Sequence, residues 1–208
     1  MKKEIAELLL DIKAVILRPE KPFRYASGIL SPIYCDNRMI ISYPEKRDIV
    51  RDSFIEIIRK HSPEVGIIAG TATAGIPHAA LIADTMGLPM IYVRSSSKGH
   101  GRENLIEGRM EKGENTIMIE DLVSTGGSSV RACKAVRENG GLLTHCYAIF
   151  TYGMKKAEEN FAQNNITLHT LSDFSTLVDV AYQKGYITDS QKETVMLWNK
   201  DPEGWGKV

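Results

Sequence analysis

Apolar positions recur along this chain with two different periods. Over residues 2–17, Ile5, Leu8, Leu9, Ile12, Val15 and Ile16 fall at three- and four-residue spacing, which predicts an opening helix. Val50, Phe54, Ile57 and Ile58 share one face of a second predicted helix over 44–61. Between the two, residues 23–36 carry Ser-Gly and Ser-Pro punctuation, which predicts short strands and a turn lying over the main body. From residue 65 the period changes. Apolar runs at 65–69, 90–93, 117–119 and 142–150 predict strands. Helical patterns over 77–86 and from about 130 to 139 lie between them, the first stopped by Gly87 and Pro89. A strand near 167–171 and a helix over 190–199 complete the tail. Strands alternating with helices at this spacing predict an α/β fold, with a parallel sheet flanked by helices. The expected organisation is a single domain over 1–208. Its core spans about 45–170, and a small N-terminal appendage, mainly 1–40, is joined by the C-terminal tail.

Composition narrows the function classes. The chain has 208 residues, 43% hydrophobic and 25% charged, which is ordinary for a globular protein with one sizeable core. Lys+Arg and Asp+Glu both number 26, so nothing in the balance points to nucleic acid or an anionic membrane as partner. No uncharged run approaches a membrane span, and the N-terminus is amphipathic rather than signal-like. Cys35, Cys133 and Cys146 have no metal-binding or redox spacing, and the five histidines form no zinc-binding pair. The expectation is free thiols in a reducing compartment, hence a cytoplasmic protein without a resident metal.

The chemistry concentrates in 116–129. The apolar strand Ile117, Met118, Ile119 runs into two adjacent carboxylates, Glu120 and Asp121. Ser124, Thr125, Gly126, Gly127 and Ser128 then supply hydroxyls and backbone N–H groups ahead of a helix, a seat suited to phosphate. A phosphate seat beside two acids fits a phosphorylated sugar, with the acids accepting from ribose hydroxyls. A second strand–loop–helix junction lies at 70–75. It lacks the Gly-Lys-Ser/Thr ending of a P-loop, because Ile76 and Pro77 follow Gly75. The stretch from Arg94 to Arg102 is too polar to pack and too long for an ordinary α/β connection of roughly 2–6 residues. Arg94, Lys98, His100 and Arg102 within it can counter charge on a leaving group.

The 116–129 segment resembles the phosphoribosyl-pyrophosphate (PRPP) motif of type I phosphoribosyltransferases. Across nearly the whole chain the resemblance is to the orotate phosphoribosyltransferases. It is carried by Tyr25-Ala-Ser-Gly28, Ser31-Pro-Ile-Tyr-Cys-Asp-Asn-Arg38, Gly70-Thr-Ala-Thr-Ala-Gly-Ile-Pro77, Arg94 through His100, and Glu120 through Ser128. The resemblance implies a type I phosphoribosyltransferase-like fold with an N-terminal hood and a flexible catalytic loop. It implies transfer of phosphoribose from PRPP to orotate, with Mg²⁺ carried by PRPP. It also implies a homodimer with shared active sites, the loop of one subunit reaching over the other's site. PRPP is then expected to meet Arg94, Lys98, His100, Glu120, Asp121, Leu122, Val123, Ser124, Thr125, Gly126, Gly127 and Ser128. Lys98 and Asp121 are the expected catalytic groups, and Ser27, Gly28 and Ser124 are expected near orotate. The chain departs from the best-known form of the family at Ala26, Ala74 and Ser95, where lysines are expected, and near Tyr152, where an arginine is expected. Two competing readings are an enzyme for a purine base, which the hood opposes, and a PRPP-sensing regulator. The chain has neither a spare domain nor a basic excess for the regulator's nucleic-acid contact.

Overall fold

The apolar runs from residue 67 onward assemble into one sheet. A computed structural model describes residues 1–25, 28–96 and 105–206. The chain begins with α1 (Lys2–Asp11), β1 (Val15–Leu17), β2 (Phe23–Arg24), β3 (Leu30–Ser31), β4 (Ile33–Cys35) and a 3-10 helix (Asn37–Ser42). Next come α2 (Pro44–His61), β5 (Ile67–Thr71), α3 (Gly75–Met86), β6 (Met90–Val93), β7 (Ile106–Glu107), β8 (Asn115–Val123) and α4 (Gly127–Glu138). The chain ends with β9 (Leu142–Thr151), α5 (Lys155–Gln163), β10 (Thr167–Asp173), α6 (Phe174–Gln183) and α7 (Asp189–Lys200). The sheet order is β10-β9-β8-β5-β6-β7, parallel except for the β6–β7 pair.

Side chains alternate between the two faces, and both faces are covered, which is why these strands read as unbroken apolar runs. Ile68, Ile117 and Ile119 pack with α1, α2, α3 and α6. Ile67, Ala69 and Met118 pack with α4 and α5. From β5 the chain crosses to β6 on one side, then returns to β8 on the other. Strand order therefore reverses between β5 and β8, the position at which open α/β sheets leave a crevice beyond their carboxyl ends.

The N-terminal appendage and the tail hold each other. Trp198 of α7 is fully buried, and its indole N–H donates to the Leu30 carbonyl at 3.1 Å. Tyr152 meets Trp198 edge-on at 5.6 Å and Phe150 at 5.7 Å. Asn199 donates to the Tyr152 carbonyl at 2.7 Å, so the tail ties the hood strands to the end of β9.

Four expected boundaries are corrected. The opening helix ends at Asp11 and not at residue 17: Lys13 turns the chain with φ of 58°, and Val15–Leu17 pairs antiparallel with Ile33–Cys35. β-branched Val15 and Ile16 favour that pairing over further helix. The strand through 117–119 extends to Val123, so Glu120 and Asp121, expected at its carboxyl end, lie within its last four residues. Helix α4 starts at Gly127, earlier than about residue 130, and the strand after residue 65 runs through Thr71. Helices α5 and α6 had no counterpart in the sequence reading. Among the described residues, no helix is long and apolar enough to cross a membrane.

Opposite the crevice, near the starts of β9 and β10, His145 Nδ1 lies 3.0 Å from His169 Nε2, and His169 stacks on Tyr147. One ring nitrogen must accept in that contact, so at least one of the two rings is neutral. Burial first, then neighbouring histidine charge, pushes His169 down to about 4, and burial also lowers His145. A histidine held below its unfolded value gives stability that is complete above about pH 6.5 and is lost as pH falls toward 4. Glu120, raised to about 7, acts with opposite sign, so the histidine contribution is isolated by a difference. The drop in melting temperature between about pH 7.5 and about pH 5 is expected to be smaller in His169→Phe than in the parent. Equal drops would contradict this account of the cluster.

Candidate active site

The acid pair sits where strand alternation sends its two members to opposite faces. Glu120 shares the α4 face with Met118, is 6% exposed, and belongs to a closed hydrogen-bond set. Thr71 Oγ1 donates to Glu120 Oε1 at 2.7 Å, the Asp121 N–H donates to the same oxygen at 3.0 Å, and Ser129 Oγ donates to Oε2 at 2.8 Å. Burial lifts the Glu120 carboxyl to about 7; the Asp121 charge adds to the rise, and the two hydroxyls oppose it. Asp121 is half-buried beside the hood, where Asn37 Nδ2 donates to its carbonyl at 2.7 Å. Burial raises the Asp121 carboxyl as well, while the Glu120 contact and the Arg38 charge pull it down.

Glu120 thereby joins two loops. Thr71 is the last residue of β5, and the loop Ala72-Thr73-Ala74 leads directly into α3. Ser129 lies in the first turn of α4. Gly75 permits the close approach: a Cβ there would stand 2.5 Å from both Thr71 Oγ1 and the Ile119 carbonyl oxygen. The α4 loop is equally constrained. Gly126 has φ of 76°, and a Cβ on it would meet the Phe161 ring at 2.7 Å. Asn160 of α5 donates to the Thr125 carbonyl at 2.8 Å and fixes the turn from outside.

A cavity of about 350 Å³ opens between these loops. It is lined by Thr71 through Ala74, Val93 through Ser95, Leu105, Glu120 through Leu122, Ser128, Arg131 and Ala132. A larger cavity, about 550 Å³, lies between the end of β9, α5 and α6, but it contains neither loop nor acid pair. The smaller one holds the chemistry. Arg94 reaches it from the end of β6, with its N–H donating to the Leu105 carbonyl at 2.8 Å, which closes the base of the segment between them. Arg94 Nη1 is buried, makes no hydrogen bond among the described residues and stands 3.7 Å from Glu107 Oε1.

The expected site residues fall into three groups. Arg94, Glu120, Asp121, Leu122 and Ser128 line the cavity together. Val123, Ser124, Thr125, Gly126 and Gly127 form the adjoining turn, with Ser124 and Thr125 exposed and Val123 buried. Gly28, at φ of 87°, lies in a separate groove with Glu203, Trp205 and Gly206. Ser27, Lys98 and His100 lie outside the described residues. Sequence reasoning missed Thr71 and Ser129, whose hydroxyls hold Glu120, and Arg131, which lines the cavity. A hydroxyl at a strand end carries no signal until its partner strand is known.

Among the described residues, the cavity lining includes no cysteine or histidine, hence no cysteine nucleophile and no histidine base beside its hydroxyls. What remains is orientation and charge: two carboxylates, two loops with N–H groups at helix starts, and arginines. Among the described residues, no group of three or more His, Cys, Asp or Glu side chains could hold a metal ion. The adjacent carboxylates are hard oxygen donors of the kind that share Mg²⁺ with substrate phosphates.

Known proteins give the arrangement its context. No family model matches the chain. An orotate phosphoribosyltransferase from Coxiella burnetii is 55% identical over 202 residues, covering 97% of each chain. The crystal structure of orotate phosphoribosyltransferase from Aeropyrum pernix superposes with a TM-score of 0.77 at 26% identity, covering 88% of this chain and 99% of that one. The UMP synthase of Leishmania donovani gives a TM-score of 0.79 at 26% identity over 95% of this chain, which spans 42% of that longer protein. With relatedness of this extent over a sheet whose reversal point carries an acid pair and two helix-start loops, the chain belongs to the orotate phosphoribosyltransferase family.

Proposed function

We propose that this protein transfers the phosphoribosyl group of PRPP to orotate, giving orotidine monophosphate and pyrophosphate in pyrimidine nucleotide synthesis in the cytoplasm. The observation that carries the reading is the pair of helix-start loops flanking one acid pair, since PRPP has a phosphate at one end of its ribose and a pyrophosphate at the other. The loop at 124–128 supports the 5′-phosphate at the start of α4. The loop at 72–75 supports the pyrophosphate at the start of α3. Asp121 accepts from the ribose hydroxyls; Glu120, with one donor on Oε2, keeps a lone pair for the same purpose.

A ring nitrogen of orotate bonds to the anomeric carbon while the carbon–oxygen bond to pyrophosphate breaks, its electron pair leaving on the pyrophosphate oxygen, and the proton of the ring N–H passes to the departing pyrophosphate or to water. The chain's task is to align the reactants, offset charge on the leaving group and exclude water. Asp121 and Glu120 are the carboxylates that would hold the Mg²⁺ carried by PRPP, which would supply part of that charge. Arg94 adds to it from the end of β6, and Lys98 and His100 are assigned the same task by family resemblance. Ser27, Gly28 and Ser124 are assigned to the base by family resemblance alone, since Gly28 lines a groove separate from the cavity.

The acceptor is tested by incubating the purified protein with PRPP, Mg²⁺ and a panel of bases. Orotate is expected to be consumed fastest; faster conversion of adenine, hypoxanthine or xanthine would overturn the assignment. The proposed assembly is a homodimer in which the loop carrying Lys98 and His100 in one subunit serves the other's site, while Arg94 lines the cavity of its own subunit. Lys98→Ala is expected to lower turnover by about 10²–10³, the usual loss for a preorganised charge stabiliser. Mixing Lys98→Ala with Asp121→Asn subunits is expected to restore activity, because one site of each mixed dimer then carries neither change. A verified mixed dimer without recovered turnover would contradict shared sites.

A further inference from the structure

Among the described residues, the pyrophosphate side of the crevice carries little positive charge, apart from the Lys98 and His100 that family resemblance assigns to it. Loop Ala72-Thr73-Ala74 carries no cation, and Ala74, the cap of α3, offers no side-chain hydrogen bond. Glu120 and Asp121 both contribute to the lining of this cavity. A polyanion entering beside them meets like charge, which a partly buried site screens weakly. Among the described residues only two lining side chains are cationic, Arg94 and Arg131. The charge of Arg94 is shared with Glu107 at 3.7 Å. Arg38 is taken up by Asp36 through a fork of 2.6 and 2.7 Å and does not line the cavity.

Arg131 has none of these commitments. It makes no hydrogen bond or ion pair to a described residue. It stands on α4 three residues after Ser128 and one before Ala132, and all three line the crevice from one helix face. Its Nη1 would lie 3.9 Å from a Cβ on Gly127, so the guanidinium folds back along the first turn, as helical side chains do. There its charge adds to the positive end of the helix.

We propose that Arg131 is a substrate-binding residue that supplies the pyrophosphate side of the crevice with the cation the 72–74 loop lacks. The assignment rests on the phosphoribosyl-transfer reading above. An arginine suits the role, because its planar fork matches two phosphate oxygens at once and its charge is not lost on desolvation. The competing view is a solvated helix-surface arginine with no ligand.

The test uses the full-length protein with Mg²⁺ and steady-state kinetics in PRPP and orotate, together with inhibition by pyrophosphate and by ribose 5-phosphate. In Arg131→Ala the KM for PRPP and the inhibition constant of pyrophosphate are expected to rise about tenfold, the scale of one charge-assisted contact. The KM for orotate and inhibition by ribose 5-phosphate are expected to stay within about twofold of the parent. Alanine at an exposed helical position favours the helix, and a melting curve verifies folding; Arg131→Gln is the second variant. Adding Ala74→Lys to Arg131→Ala is expected to bring the PRPP and pyrophosphate constants back toward the parent. Unchanged PRPP and pyrophosphate constants in folded Arg131→Ala and Arg131→Gln would overturn the proposal. So would equal weakening of ribose 5-phosphate, which would put Arg131 at the other phosphate, or failure of Ala74→Lys to restore binding. A parent protein inactive on orotate would instead sink the reading of function, which separates the two failures.

Discussion

A buried carboxylate must have its charge met, and that constraint organises the crevice. Glu120 is almost wholly removed from water, so its ionised form persists only through the hydrogen bonds it receives. The donors come from different parts of the fold: Thr71 from the end of β5, Ser129 from the first turn of α4, and the next residue's own N–H. Meeting the charge therefore fixes the end of β5 against the start of α4. Those are the elements that carry the two loops assigned to the two ends of PRPP. Any drift of either loop leaves a buried oxygen short of a donor, at a cost of about 1–3 kcal/mol.

The rest of the architecture serves this spacing. Reversal of strand order between β5 and β8 lets their following loops part and opens the crevice. Asp121, one residue on and on the other face, faces the hood, which is tied to it through Asn37. The hood is in turn held by the tail through Trp198, and the tail by Tyr152 at the end of β9. The two acids thus divide the work. Glu120 braces the loops, and Asp121 stands between the hood and the sheet.

Much of this was legible in the sequence where a pattern had a single physical meaning. The β8 run into Glu120 and Asp121, the glycine-hydroxyl turn and the Gly87 stop of α3 are local signals, and Gly87 does adopt the left-handed conformation, φ 65°. Val15 and Ile16 misled because their spacing continues the α1 pattern while their pairing partner lies at Ile33–Cys35. Helix α5 buries only Ala157 and Phe161, too few apolar positions to reveal a period. Helix α6 was legible in principle: Asp173 caps it, and Phe174, Leu177, Val178 and Ala181 share one face. Thr71 was not, because it acquires its role only from Glu120, distant in sequence, which the fold brings alongside; Ser129 and Arg131 were not, because a hydroxyl or cation in the first turns of a helix carries no signal until the crevice beside it is known.

The central claim is that Glu120 works ionised and braced, and removing one brace tests it directly. Thr71→Val keeps shape but deletes the hydroxyl that lowers the Glu120 pKa, so that pKa should climb above its value of about 7. The measurement is the pH profile of kcat in Thr71→Val against the parent, with Thr71→Ser as the variant that keeps the donor. The account predicts that the acid limb moves to higher pH in Thr71→Val and stays in place in Thr71→Ser. A profile in Thr71→Val that superimposes on the parent, with unchanged kcat, would contradict it.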